Sequence, residues 1–206
     1  ILYNIPYIPG ISYTSTLEIK SGSDNYLQDF TLKNMYAGGA NDKGVAVAFY
    51  DRGTRTIAKN INCWSNQDTY VSNGARDYYE TSTFAGTVDF ICGNGDVWFQ
   101  QCDLVINNRS GNVIAAPRTV DTEKWGYVFY ENTISRAEGA TLVTDKSWNL
   151  GRPWNNSPAA TFLYTTMNTL PKDAGWTNMN NGKVLRFHEY GSKNGSGSTL
   201  DLSSRS

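Results

Sequence analysis

Ala58-Lys59-Asn60-Ile61 has two echoes in the chain, Leu32-Lys33-Asn34-Met35 before it and Tyr130-Glu131-Asn132-Thr133 after it. Between and beyond them lie Glu80-Thr81-Ser82-Thr83, Gln100-Gln101-Cys102-Asp103 and Tyr164-Thr165-Thr166-Met167. Each sets a small or polar residue beside apolar ones. With Asn34, Asn60, Ser82, Cys102, Asn132 and Thr166 as anchors, the spacings are 26, 22, 20, 30 and 34 residues. A recurrence of about 20 to 50 residues marks a solenoid. The segments between anchors are short runs of Val, Ile, Thr, Tyr and Phe broken by Gly and Asn, which is strand composition rather than helix. An all-β chain with such a repeat reads as a parallel β-helix, in which each coil buries its apolar face only by stacking on the next. The competing architecture is an antiparallel sandwich with frequent turns.

The repeat also locates loops. Segments 107–126 and 135–160 are rich in Asn, Gly, Pro and charge, and solenoid insertions gather on one face, often the binding face. Arg152 and Trp154 fall in the second segment. The tail from 191 to 206, with its Gly, Ser, Lys and Asn, reads as loosely packed. The 206 residues form one domain. Its boundaries are 1–195, followed by a tail at 196–206. At 39% hydrophobic and 13% aromatic residues, the chain is globular. It has no apolar run of about 18 residues, so no membrane-spanning helix is expected. A net charge of −1 leaves no basic footprint for nucleic acid, although a local groove can still attract an acidic polymer. Three cysteines and one histidine, His188, show no metal-ligand spacing. No metal site or cofactor is expected, and Cys63 and Cys102 read as buried small hydrophobes.

Asn66-Gln67-Asp68-Thr69 and Gly86-Thr87-Val88-Asp89-Phe90 place two aspartates 21 residues apart. If one coil takes about 21 residues, the two carboxylates stack on neighbouring turns. Close carboxylates do not ionise independently: one is pushed toward the protonated acid while the other stays ionised. Arg152, in Leu150-Gly151-Arg152-Pro153-Trp154, offers a guanidinium that would hold one aspartate ionised and oriented. Gln67 offers an amide donor suited to a developing oxyanion. Trp154 offers a flat face for a sugar ring. An aspartate at a turn and a structural Asp–Arg pair remain the bland alternatives.

These three segments resemble, in order, the signatures of the pectin methylesterases, carbohydrate esterases with a right-handed single-stranded parallel β-helix. Gly175-Trp176 and Phe187-His188-Glu189-Tyr190 are similar to later landmarks of that family. The resemblance runs from about residue 12 to 195. It implies a secreted or periplasmic esterase, monomeric and without cofactor, acting on methyl-esterified polygalacturonate. It also implies roles: Asp89 as nucleophile, Asp68 as general acid and then base, Gln67 as oxyanion donor and Arg152 as the group that orients Asp89. Trp154, Phe90 and Trp125 would bind the sugar chain.

The sequence departs from the family pattern in places. A second oxyanion glutamine is expected upstream, and Gly44 of Gly44-Val45-Ala46-Val47-Ala48 is read at its position. Cys92 stands where the family prefers Phe, close to the cleft. Cys102 matches half of a disulfide found in some members, but Ser82 occupies the other half, so that bridge is not expected. The opening residues read as the middle of a β-helix, which implies a preceding segment. Asp96 reads as a turn residue and His188 as structural. Trp64, Trp98, Trp125, Trp148 and Trp176 divide between core and cleft. Arg118 is either a carboxylate contact or a solvated loop residue. The alternative functions are an esterase for another acyl ester and a polysaccharide-binding β-helix without catalysis.

Overall fold

The computed structural model describes residues 1–3, 11–36, 44–120, 124–155 and 158–205. Its strands form one continuous arrangement in which the long ladders are parallel. Leu17–Ile19 pairs with Phe49–Asp51, which pairs in turn with the start of Tyr70–Glu80. Tyr26–Asn34 lies on Ile57–Trp64. Farther along, Val88–Gln100, Tyr127–Tyr130, Ala159–Leu163 and Arg186–Tyr190 stack successively. Each strand thus pairs with the one a full coil ahead, which is the parallel β-helix that the repeat predicts. Parallel crossovers are right-handed. No helix among the described residues is long and apolar enough to cross a membrane.

One corner of the coil repeats with a single left-handed residue. Asp29, Asn60, Thr81, Gln101, Glu131, Tyr164 and Gly191 have φ between 46° and 68°. They stack in register: the Asn60 amide bonds Asp29 at 2.8 Å and the Gln101 amide bonds Glu131 at 3.1 Å. A left-handed residue redirects the chain within one step, at a cost of roughly 1–2 kcal/mol for a residue other than Gly. The residue after each corner points inward. There the Ile61 N–H donates to Ser82 Oγ at 3.2 Å, and the Cys102 N–H donates to Asn132 Oδ1 at 2.6 Å.

This register corrects part of the repeat. Ser82, Cys102 and Asn132 do form the internal polar ladder. Asn60 instead belongs to the exposed corner one residue earlier, and the inward position on the later coil is taken by Thr165 rather than Thr166. Asn34 lies at another buried corner, donating to the Thr14 and Val47 carbonyls.

The core is a column of rings, one per coil. Tyr79, Phe99, Phe129 and Phe162 stack at centroid distances of 5.5, 4.8 and 4.3 Å, with interplanar angles of 9° to 17°. Cys63 and Cys102 are buried thiols, as expected of small apolar residues. The C-terminal residues are not a loose tail. Arg205 ion-pairs with Glu189 at 2.5 Å and donates to the Lys172 and Asp173 carbonyls. Residues 193–200 fold back on themselves through the Lys193–Thr199 bridge and the Leu200 N–H bond to the Ser192 carbonyl.

Strand Val88–Gln100 bends at Gly93 and Gly95, whose φ values are 112° and 120°. A Cβ on Gly93 would lie 1.9 Å from the Ser72 carbonyl oxygen, so only glycine fits this bend. The strand is thereby split between two faces. Asp89 and Cys92 lie before the bend, and Trp98 lies after it.

Candidate active site

Asp68 and Asp89 occupy equivalent positions on neighbouring coils. Tyr70 pairs with Ile91 and Val71 with Cys92, and the Asp68 N–H reaches the Val88 carbonyl at 3.2 Å. The two backbones are therefore one strand spacing apart, about 4.8 Å. Both aspartates are left-handed, with φ of 60° and 52°. Such backbone strain in residues other than glycine gathers at functional sites. The tight approach rests on Gly86. A Cβ there would meet Phe90 Cβ at 2.2 Å and the Asn66 carbonyl oxygen at 2.6 Å.

Asp89 is 4% exposed and Asp68 9%. Arg152 grips Asp89 with both arms: Nε donates to Oδ1 at 2.8 Å and Nη2 to Oδ2 at 2.6 Å. The arginine comes from the end of Asn149–Gly151, two coils from Asp89, since Gly151 pairs with Ala115 and Ala115 with Ile91. The coil between carries only the short Ala116 on the cleft face, packed with Cys92 and Trp154.

Burial raises the pKa of both carboxyls, but their partners differ. For Asp68, burial is the main cause and the charge of Asp89 adds to it, bringing its pKa to about 8. For Asp89, burial is opposed by the two Arg152 hydrogen bonds, by the Arg152 charge and by Arg109. A carboxylate clamped by a guanidinium keeps its charge. The pair is thus unequal: the Arg152 clamp favours the charged form of Asp89 against its burial, while Asp68, without such a clamp, holds its proton at neutral pH.

Gln67, Asp68, Asp89, Cys92, Arg152, Trp154 and Met179 line one cleft of about 210 Å³. The sequence pattern brings five of these together as expected: Gln67, Asp68, Asp89, Arg152 and Trp154. Arg118 sits with its guanidinium 5.7 Å from the Trp154 ring. Cys92 is buried, and burial, with the charges of Asp68 and Asp89, pushes its thiol up. Two expected sugar contacts lie elsewhere. Phe90 is 0% exposed and belongs to the core with Ile91, since the left-handed turn at Asp89 sends the chain inward. Trp125 lies beyond the Gly93–Gly95 bend, in a separate groove with Trp98. The residue bridged to Gln67 on the preceding coil is Val45, not Gly44, and it carries no amide donor. Met179 and Arg109 were not legible in advance: one is a methionine in a polar loop, the other an arginine among asparagines.

The family model for pectinesterases matches residues 10–206. The chain belongs to the pectinesterase family. Among curated relatives, the probable pectinesterase A of Aspergillus niger is 31% identical over 139 residues, which cover 68% of this chain and 41% of that protein. A probable pectinesterase/pectinesterase inhibitor of Arabidopsis thaliana is 27% identical over 213 residues, covering 96% of this chain and 35% of that protein. Thus the chain spans about half or less of the length of such relatives. A solved pectin methylesterase in complex with a hexasaccharide superposes with a TM-score of 0.78 at 27% identity, covering 95% of this chain and 69% of that one. Pectin methylesterase from carrot superposes at 0.80 over all of this chain and 66% of that one, and at 21% identity it speaks for the fold alone. The fold assigned to this family, a parallel β-helix, is the one described above.

Proposed function

We propose that the protein hydrolyses methyl esters of galacturonate in pectin, releasing methanol and leaving a free carboxylate. The observation that carries this reading is the separation of the two aspartates: Asp89 clamped by Arg152, and Asp68 one coil away with a pKa of about 8. A carboxylate held in its charged form by a guanidinium is a nucleophile, and a protonated one beside it is an acid for a poor leaving group.

In this mechanism an Asp89 oxygen attacks the ester carbonyl carbon. The carbonyl oxygen becomes an oxyanion, and the Gln67 amide donates to it. The intermediate collapses, the carbon–methoxy bond breaks, and the Asp68 proton passes to the departing oxygen to give methanol. What remains is a mixed anhydride between galacturonate and Asp89. Asp68, now ionised, takes a proton from water, and the resulting hydroxide attacks the sugar carbonyl. Asp89 leaves as a carboxylate, again paired with Arg152. Trp154 presents a flat surface at the mouth of the cleft, fitted to stack on a pyranose ring. A setting outside the cell membrane, where pectin lies, is part of this proposal.

The experiment compares methyl-esterified polygalacturonate with acetylated galacturonan and a simple aryl acetate. Methanol release from the first, with at most slow turnover of the others, is the expected result. Acetate release at an equal or greater rate would assign the cleft to another acyl ester.

A further inference from the structure

A second groove lies past the glycine bend, sharing no lining residue with the cleft of Asp68 and Asp89. It measures about 430 Å³, and its walls include Trp98, Trp125, Lys124, Arg186 and His188. Trp98 is 37% exposed and Trp125 62%. Large exposed indoles are unusual on a water-facing sheet and mark binding surfaces when grouped. Here they are also fixed in place. One carboxylate, Asp96, accepts three successive backbone N–H bonds, from Lys124 at 3.1 Å, Trp125 at 2.8 Å and Gly126 at 2.9 Å. Arg186 Nη2 donates to the Lys124 carbonyl at 2.8 Å, tying the same segment to a strand two coils away. The indole is thus presented on a pinned backbone rather than on a free loop.

Charge and direction identify the occupant. Lys124 and Arg186 line the groove; Trp98 and Trp125 also border an adjoining pocket where Asp77 and Asp96 lie with Arg55 and Arg76, and Asp96 is occupied by the Lys124, Trp125 and Gly126 N–H groups. From Trp98 a row of outward rings continues along the helix axis through Tyr130, Tyr164 and Tyr190, with steps of 5.7, 5.8 and 5.6 Å. Glu131 lies beside Tyr130, which confines anionic contact to the Trp98–Trp125 end. Aromatic faces beside cations on an extended track suit a polymer of stacked sugar rings bearing carboxylates. We propose that this face docks galacturonan already stripped of its methyl groups, holding the enzyme on the chain it has processed. The assignment of this ligand rests on the esterase reading of the cleft. A second copy of the chain fits less well, because it would bring a face equally rich in Lys and Arg.

The test measures retention on immobilised de-esterified polygalacturonate, beside methanol release from a short, soluble methylated oligomer. Trp98→Ala and Lys124→Glu, made separately, each weaken retention about tenfold while methanol release stays at the wild-type rate. Both positions are exposed, and an unchanged melting temperature verifies the fold. Wild-type retention in both variants overturns the proposal, as does retention lost equally when the cleft alone is altered in Arg152→Ala. A wild-type protein of dimeric mass that Trp98→Ala turns monomeric would also overturn it, giving the face to a second copy. The two readings fail separately. Absent methanol release with groove-dependent retention sinks the esterase, whereas normal release with unaltered retention sinks only the docking surface.

Discussion

At the scale of the residue, the account turns on Asp68. Its folded pKa, near 8, lies above the ordinary value of 3.8, so the folded protein binds this proton more tightly than the unfolded chain does. Stability from this group is therefore present at low pH and is lost as pH rises from about 4 to 8. Asp68→Asn removes the ionisable group. Its melting temperature should exceed that of wild type by about 10 °C or more at pH 8, a gap that closes toward pH 4. A gap that does not change with pH would contradict the raised pKa. The same variant should lose roughly a hundred- to ten-thousandfold in turnover, the usual contribution of a positioned acid. Gln67→Ala should lower kcat roughly a hundred- to a thousandfold with KM little changed, because in the proposed mechanism its amide acts on charge that develops in the transition state. An increase in KM alone would make Gln67 a ground-state contact.

At the scale of the element, the left-handed corner explains what the sequence could and could not disclose. The 21-residue gap between Asp68 and Asp89 was legible because both sit at the same point of adjacent coils, where spacing alone sets the stack. The internal ladder was only half legible. Asn60 resembles Asn34 and Asn132 in its neighbours, yet a residue at the corner and a residue just past it face opposite ways, and composition does not distinguish them. Phe90 was misplaced for the same reason, since one step along a strand turns cleft into core. Trp125 was misplaced because no pattern of residues announces that a strand bends onto another face at Gly93. The corner also carries a β-branched residue in an unfavourable conformation, Thr81 at φ 46°. Thr81→Asn should raise stability by roughly 0.5–1 kcal/mol, read as a higher denaturant midpoint at constant m-value. A lower midpoint would mean that the threonine makes a contact worth more than its strain.

At the scale of the whole molecule, the β-helix holds a rigid track of stacked rings beneath two outward surfaces. Phe129 lies between Phe99 and Phe162 in that column, so Phe129→Ala should cost about 3–5 kcal/mol. Tyr190→Ala on the exposed row should cost less than about 0.5 kcal/mol, and equal losses in urea melts would contradict the assignment of core and surface. The proposed catalysis needs the coil repeat itself, because a clamp from two coils away and an acid from the neighbouring coil meet only when the register holds. The central claim is that Asp89 is the nucleophile this register assembles. Methanol release from methyl-esterified polygalacturonate by wild type and by Asp89→Asn, each with a cooperative melt showing it folded, tests it most directly. Wild type should release methanol steadily, and the variant at least about a thousandfold more slowly. Release by folded Asp89→Asn within about tenfold of wild type would contradict the claim.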